Sequence, residues 1–337
     1  MNDLADWNEV IQGMHNHGVD PSNSKEADVL VTSHSIDGTF DSCPRRFEFR
    51  HVIGQIPDID ESGFAAEVGT AMHEALQEWA RTDSDEAGYI MLMKWWPWEL
   101  EEKKERTDAR NFPNALLLLR ALMESEFWDE WEVDRLPDGT HAIELPYRIV
   151  HRSLGTFIHP RTGRPTYLAD QGKIDFIVRH KQNHKRRRVL DLKTTTYDES
   201  LHYGAFRFSG QGGGYGMVLD SALGVDFRRE GMDVTYLLGE FSPYGPNVRP
   251  IEYHLSPEEV DDLITAKKLR LMRMLMYARM NHWPRRTHGC VFFNQTCAYL
   301  DVCERRDYKF LMDWFAAEDQ RFRFKERIYE PYWTLEA

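Results

Sequence analysis

The stretches GKIDFIV, residues 172–178, and VLDLKTT, residues 189–195, carry the reading of the fold. Each alternates β-branched, aromatic and aliphatic residues with polar ones, which is the period-two pattern of a strand. The segment between them, residues 179–188, holds six Lys or Arg and no acid, so a basic loop closes a hairpin. Asp175 lies 16 residues before Asp191, and the hairpin brings the two carboxylates alongside. Strand side chains alternate faces, so Asp191 and Lys193 point the same way, about 6.6 Å apart. Two carboxylates and a backbone carbonyl are hard oxygen donors of the kind Mg²⁺ or Mn²⁺ takes, with coordinated waters left for a phosphate to replace. A lysine beside them can orient or help deprotonate an attacking water. Glu144, on the preceding strand in AIELPYRI, offers a third carboxylate. The plainer readings are a surface ion pair for D-x-K and a solvent-facing polar residue for Glu144.

Upstream, residues 35–52 carry Ile36, Phe40, Phe47 and Phe49 and predict a helix starting near a Ser cap. Residues 65–81 place Val68, Met72, Leu76 and Trp79 on one helical face, with His73 beside the stripe. Residues 84–133 read as a helical insertion divided by Pro113, and residues 141–150 as a further strand. Downstream, residues 210–223 predict a helix, residues 233–241 and 248–255 strands, and residues 256–282 a long helix opened by Ser-Pro-Glu-Glu. This order predicts a mixed α/β class with a mixed central sheet flanked by helices. The expected divisions are an N-terminal arm over residues 1–32, a main domain over 33–305, and a C-terminal helix and tail over 306–337.

The chain has 337 residues, 42% of them hydrophobic and 29% charged, a globular composition and not a disordered or fibrous one. Its longest strongly apolar run, residues 115–119, ends at Arg120, whereas a spanning helix needs about 20 apolar residues. No membrane partner is therefore expected. The opening MNDLADWNEV lacks the basic and apolar regions of a secretory signal, which predicts a cytoplasmic protein. Net charge is -13, which opposes a polyanionic partner until its distribution is considered. Residues 179–188, with Arg186, Arg187 and Arg188 at their end, and residues 267–286 are acid-free basic stretches. Either can face phosphate. In the second, Ile264, Leu271, Leu275 and Met276 are expected inside and Lys267, Arg270 and Arg273 outside.

Four cysteines remain: Cys43, and Cys290, Cys297 and Cys303 in a C-x6-C-x5-C pattern. Cytosolic thiols stay reduced, so metal binding is their leading use. Structural Zn²⁺ is one candidate. The six- and five-residue spacings lack the close C-x2-C knuckle of most zinc ribbons and suit a larger [4Fe-4S] cluster.

In order and spacing, five motifs resemble the PD-(D/E)XK nuclease superfamily: Gly69-Thr70-Ala71-Met72-His73-Glu74; Glu144; GKIDFIV with Asp175; VLDLKTT with Asp191 and Lys193; and Gln211-Gly212-Gly213-Gly214-Tyr215. Within that superfamily the likeness is to the RecB-like exonucleases, which include the CRISPR-associated iron–sulfur nucleases and the AddB nuclease domain. It spans about residues 33–305 and implies a restriction-endonuclease-like core that hydrolyses DNA, as an exonuclease acting on single strands or free ends. By the same resemblance, His73, Asp175 and Asp191 would hold the metal and Lys193 would be the catalytic lysine. Glu144 would fill the first acidic position, and Gln211 and Tyr215, at i and i+4 on one helical face, would hold the nucleic acid and the site lysine. DSCPRRFEFR around Cys43 is similar to the C-P-x-x-F/Y element of the iron–sulfur members. It implies a cluster held by Cys43, Cys290, Cys297 and Cys303. The glycines at 210, 212, 213, 214 and 216 depart from a good helix and suggest close approach of a DNA backbone, since GQGGGY lacks the last Gly of G-x-G-x-x-G. An alternative from another class is an inactive nuclease fold serving as a DNA-binding or recombination accessory protein.

Overall fold

The computed structural model describes residues 28–57, 63–102, 108–136, 138–196, 211, 215, 231–242, 244–286, 290–292, 295–321 and 323–326. Most of the expected arm, most of the 210–223 helix with its glycines, and the tail from 327 lie outside the described residues. Chain order begins β1 (Asp28–Thr32), α1 (His34–Ser42), α2 (Pro44–Phe47), β2 (Gln55–Pro57), α3 (Gly63–Thr82), α4 (Asp85–Trp95), α5 (Trp98–Glu101), α6 (Phe112–Met123) and α7 (Phe127–Glu130). It continues with β3 (Trp131–Val133), β4 (Ile143–Val150), β5 (Phe157–Ile158), β6 (Pro165–His180), β7 (Asn183–Thr195), β8 (Met232–Glu240), β9 (Asn247–Leu255) and α8 (Pro257–Arg279). The short pair β10 (Val291–Phe292) and β11 (Gln295–Thr296), α9 (Tyr308–Ala316), α10 (Glu318–Arg321) and β12 (Phe324–Glu326) complete it. Two compact units are built from interleaved segments, one within residues 63–146 and 173–263, the other within 28–57, 147–172 and 264–326.

In the first unit the expected hairpin is β6 against β7, antiparallel, with Phe176 opposite Leu190 and Val178 opposite Arg188. β7 then pairs in parallel with β8, and β8 antiparallel with β9, so the sheet is mixed. Its strands feed Phe176, Val178, Leu190, Leu192 and Leu237 into one core with Val68, Ala71, Met72, Ala75 and Leu76 of α3 and Leu118, Leu119 and Leu122 of α6. Each such buried aliphatic or aromatic side chain contributes about 1.5–3 kcal/mol. α3 exceeds its predicted span of 65–81 by two residues at its start and one at its end, because the Val68, Met72, Leu76 stripe determines it. Pro113 does not divide the insertion. It sits in the first turn of α6, where its missing N–H costs nothing and Asn111 caps the helix through Asn114 N at 2.9 Å. The break falls instead between α4 and α6, across Pro97 and the short α5.

In the second unit β1 lies parallel to the first part of β6, with Asp28 opposite Thr166 and Thr32 opposite Asp170. Ser33 caps α1, its side chain accepting from Ile36 N, and the predicted single helix breaks at Cys43, where Pro44 opens α2 and a π turn over Glu48–Val52 follows. Phe40, Phe47, Leu168, Leu271, Met274 and Leu275 form one core, and Phe49, Tyr299, Leu311, Phe315 and Phe324 another. The face of α8 differs from expectation. Lys267 is only 4% exposed, its Nζ 2.6 Å from Asp37 Oδ2 and 2.7 Å from Asp170 Oδ1. Arg270 reaches Asp41 at 2.7 Å and Asp37 at 3.4 Å, while Met276 points outward. Two buried carboxylates offset the desolvation of one ammonium, which an apolar position could not do.

Candidate active site

The parallel register of β7 on β8 sets Asp191 opposite Tyr236 and Lys193 opposite Leu238. Leu190 and Leu192 enter the core with α3, and Asp191 and Lys193 therefore share the opposite direction. Asp191 has no exposed surface. Lys193 Nζ stands 2.6 Å from its Oδ2, while Tyr215 OH donates to Oδ1 at 2.9 Å and Gln211 Nε2 donates to the same oxygen at 2.8 Å. Gln211 Oε1 accepts from Lys193 Nζ at 3.2 Å. Gln211 and Tyr215 are both helical, and Gln211 Nε2 lies 2.6 Å from the Tyr215 hydroxyl. Asp191, Lys193, Gln211 and Tyr215 thus form one closed network.

α3 supplies His73. Its Nε2 is 2.8 Å from the Leu192 carbonyl oxygen and its Nδ1 is 3.3 Å from Asp175 Oδ2. The Leu192 N–H in turn bonds the Asp175 carboxyl group, so the middle residue of D-x-K joins both partners through its backbone. Burial, with the Asp191 charge beside it, pushes the Asp175 carboxyl up to about 8. Burial lowers His73 below its ordinary value, against the opposing pull of Asp191. Asp175 Oδ2 is buried without a hydrogen-bond partner. An unpartnered carboxylate oxygen, a second carboxylate close enough to repel it, an imidazole and a carbonyl are a donor set that fits a hard divalent cation. They are not a closed cage: among the described residues no three His, Cys, Asp or Glu groups stand ready as a metal site, and Lys193 occupies Asp191 Oδ2.

Glu144 stands to the side of this network. It faces Lys173 Nζ at 3.3 Å and Arg81 at 3.8 Å, within electrostatic reach of Asp175 and His73. Its φ of 51° is one of few positive values at a non-glycine residue among the described residues, a conformation costing on the order of 1–3 kcal/mol and found where a site demands it. Arg81 and Lys173 were not singled out by the sequence reading. Part of the signal was available for Arg81, which follows His73 by eight residues on the same helix and so lies about 80° round from it.

The basic hairpin loop corrects an expectation. Arg188 is 6% exposed, bonded to Glu252 and to Thr235 Oγ1 and stacked 3.9 Å over the Trp131 ring. Arg187 is held by Asp134 at 2.5 Å. Both are spent inside the fold because acids on neighbouring segments face them, and only Arg186 of the three is exposed. Tyr215 is likewise buried, and its hydroxyl meets Asp191 and not solvent.

The four thiols, all in the second unit, are free. Cys43 is buried and the others half-buried. The Cys297 backbone N–H donates to the Cys290 carbonyl at 2.8 Å, and Cys290 and Cys303 line an open cavity with Arg285, Arg286 and Arg305. Burial raises Cys297, with Cys43 and Cys290 adding to the rise, and raises Cys303 to about 11, with Cys43 and Cys297 adding. Cys297 thus lies within electrostatic reach of the other three, and Cys303 within reach of Cys43 and Cys297.

A family profile for the PD-(D/E)XK nuclease superfamily matches residues 32–304, and the chain belongs to that superfamily. Among solved structures it is similar to a candidate exonuclease from Eubacterium rectale, with 12% identity, 86% of this chain and 92% of that one covered, and a TM-score of 0.44. No curated protein matches it by sequence. No described helix is long and apolar enough to cross a membrane. The mixed α/β core is that of a nuclease, and nucleic acid is the substrate class its superfamily implies.

Proposed function

We propose that the protein is a divalent-metal-dependent deoxyribonuclease of the RecB-like group, acting in the cytoplasm as an exonuclease on single strands or free ends. The observation that supports this most is the convergence of His73 and Asp175 on the Leu192 backbone, beside Asp191 with Lys193 Nζ 2.6 Å from its Oδ2. His73, Asp175, Asp191 and the Leu192 carbonyl would hold Mg²⁺ or Mn²⁺. When bound, the ion supplies charge neutralisation at the phosphate and a more acidic water. Lys193 orients the attacking water, and Gln211 and Tyr215 hold Lys193 and Asp191 in register. Exposed Lys173 and Arg186 would contact the phosphate backbone. Water oxygen bonds to phosphorus as the P–O bond to the leaving sugar breaks, and the leaving oxygen takes a proton.

Cys43, Cys290, Cys297 and Cys303 would bind a [4Fe-4S] cluster, with structural Zn²⁺ the alternative. The cysteine spacings, which lack a close C-x2-C knuckle, support the larger cluster over a single zinc ion. Protein purified without oxygen should be brown, with iron near the cubane stoichiometry. Stoichiometric zinc without iron would favour the alternative.

The test of activity is cleavage of end-labelled single- and double-stranded DNA with Mg²⁺ or Mn²⁺, beside circular DNA. Degradation from ends that EDTA abolishes and that spares circles supports the reading. Cleavage of circles would make the enzyme an endonuclease. Metal-tight binding of DNA with no cleavage would favour the inactive accessory protein.

A further inference from the structure

Glu144 sits between two cations that the Asp191 network does not use. Lys173 Nζ is 3.3 Å from both of its carboxylate oxygens, and Arg81 Nη2 is 3.8 Å from Oε2. The strands bring these groups together. β4 pairs with β6, and numbers fall along β6 as they rise along β4: the Ile177 N–H bonds the Ala142 carbonyl at 3.0 Å, and Lys173 meets Glu144. That antiparallel register sets Glu144 opposite Asp175. Lys173 is then the diagonal neighbour of Glu144, near enough for two long side chains to meet. It also precedes Asp175 by two residues and shares its face, about 6.6 Å along the strand. Arg81 arrives from α3, held from behind by Glu78 at 3.6 Å and by buried Gln77 at 3.5 Å.

The triad is open to solvent, with 59% of the Lys173 side chain and 37% of the Arg81 side chain exposed. Exposed ion pairs of this kind stabilise a fold little. Yet Glu144 adopts a φ of 51° to make them, and backbone held in that region marks a site and not a packing need. A carboxylate resting on an ammonium and a guanidinium occupies the place a phosphate oxygen would take, since both groups are ligands of phosphate. We propose that Lys173 and Arg81 form the seat of one backbone phosphate of the substrate, and that Glu144 fills this seat until the nucleic acid displaces it. On the nuclease reading, which this inference presupposes, the seat lies one strand repeat from Asp175, a step comparable with that between successive phosphates of an extended single strand. It therefore takes a phosphate next to the one under attack. Displacement exchanges one anion for another, so the seat fixes register more than it adds affinity, and it carries no base preference. Arg81 stays in place through Gln77 and Glu78 when Glu144 leaves. Glu144 is thus a placeholder and not a ligand of the metal.

The test measures, by fluorescence anisotropy and without added divalent metal, the binding of a short end-labelled single-stranded oligonucleotide, repeated with each phosphate in turn replaced by an uncharged methylphosphonate. One position should weaken binding by the wild-type protein about twofold to fivefold, the range that partly exposed ion pairs carry. The same replacement should cost nothing in Lys173→Met, an exposed change that keeps the fold, or in Lys173→Met/Arg81→Met. In Glu144→Gln the unmodified strand should bind about twofold to fivefold tighter, and that one position should weigh more than in wild type, because its phosphate no longer displaces a carboxylate. Mn²⁺ binding should persist in Glu144→Gln. Costs that are the same in wild type and Lys173→Met at every position, unchanged or weaker DNA binding by Glu144→Gln, or loss of its Mn²⁺ binding would each overturn the proposal. Mg²⁺-dependent cleavage of the unmodified strand by the same wild-type sample separates the two readings. Cleavage without a Lys173-dependent position overturns the seat alone, and a wild-type protein that neither binds nor cleaves DNA overturns the nuclease reading with it.

Discussion

Asp191 receives Tyr215 OH, Gln211 Nε2 and Lys193 Nζ while having no exposed surface. A carboxylate so held cannot swing away, and its neighbours can be removed one at a time. Asp191→Ala and Lys193→Ala should each abolish cleavage with the fold intact, since neither side chain fills the apolar core. Tyr215→Phe keeps the ring and deletes a hydrogen bond to a charged group, an interaction of about 1.5–3 kcal/mol, together with the bond the hydroxyl accepts from Gln211 Nε2. Its cleavage rate should fall by about tenfold to a hundredfold, while the melting temperature falls by a few degrees and the fold is kept. A wild-type rate in Tyr215→Phe would mean that the hydroxyl does not position Asp191. The pairing of Asp175 with Asp191 was legible because period-two alternation and loop length fix a hairpin register. The Tyr215 hydroxyl was not, because i,i+4 spacing says that two side chains share a face and nothing about what that face meets. The role of the Leu192 backbone was legible only as a carbonyl of unstated origin, since side-chain patterns do not record where a peptide group points.

Elements were legible where one apolar period ran uninterrupted. α3 and the β6–β7 hairpin are examples, and α8 began where its Ser256 and Glu259 capping box placed it, with bonds of 3.3 and 2.9 Å. The inward face of α8 was misread because charge was taken as a sign of exposure. Lys267 lies between Asp37 and Asp170, acids 230 and 97 residues away in sequence, and no local pattern announces such a meeting. Lys267→Met should therefore cost about 3–5 kcal/mol by leaving buried Asp170 without its cation and Asp37 with Arg270 alone at 3.4 Å, while Lys268→Met, one residue on and exposed, should leave thermal unfolding unchanged. Equal melting temperatures would show that the triad adds nothing. At the start of β8 the backbone itself sets the constraint. Gly231 has φ of 78°, and a Cβ there would lie 2.5 Å from the Leu255 carbonyl oxygen. Gly231→Ala should destabilise by at least about 1–2 kcal/mol from the positive φ alone, visible as a lower denaturant midpoint with an unchanged slope.

Across the whole molecule, 42 cations face 55 acids, and the fold decides which cations are left for a polyanion. Whole-chain charge and basic runs were both poor guides, because a run records proximity in sequence and not partnership in space. Residues 267–286 lose Lys267 and Arg270 to aspartates, and residues 179–188 lose Arg187 to Asp134 and Arg188 to Glu252. In the hairpin loop Lys185 and Arg186 remain exposed, with Arg186 lying 5.4 Å from the Trp131 ring centroid. If these two meet DNA, each phosphate contact they make releases condensed counterions, and the salt dependence of binding carries a slope of about 0.7–0.9 per contact. Lys185→Ala/Arg186→Ala should then weaken binding on every DNA sequence and reduce that slope by about 1–2, with no change in melting temperature. Arg188→Ala should do the reverse. It removes a guanidinium stacked on Trp131 and paired with a half-exposed glutamate, at a cost on the order of 2 kcal/mol, and should lower the melting temperature while leaving the slope of the folded protein unchanged. Binding measured over a salt series together with thermal unfolding separates the two. A reduced slope in Arg188→Ala alone would show that the buried arginine turns outward to meet the nucleic acid, and an unchanged slope in Lys185→Ala/Arg186→Ala would place the DNA path away from this loop.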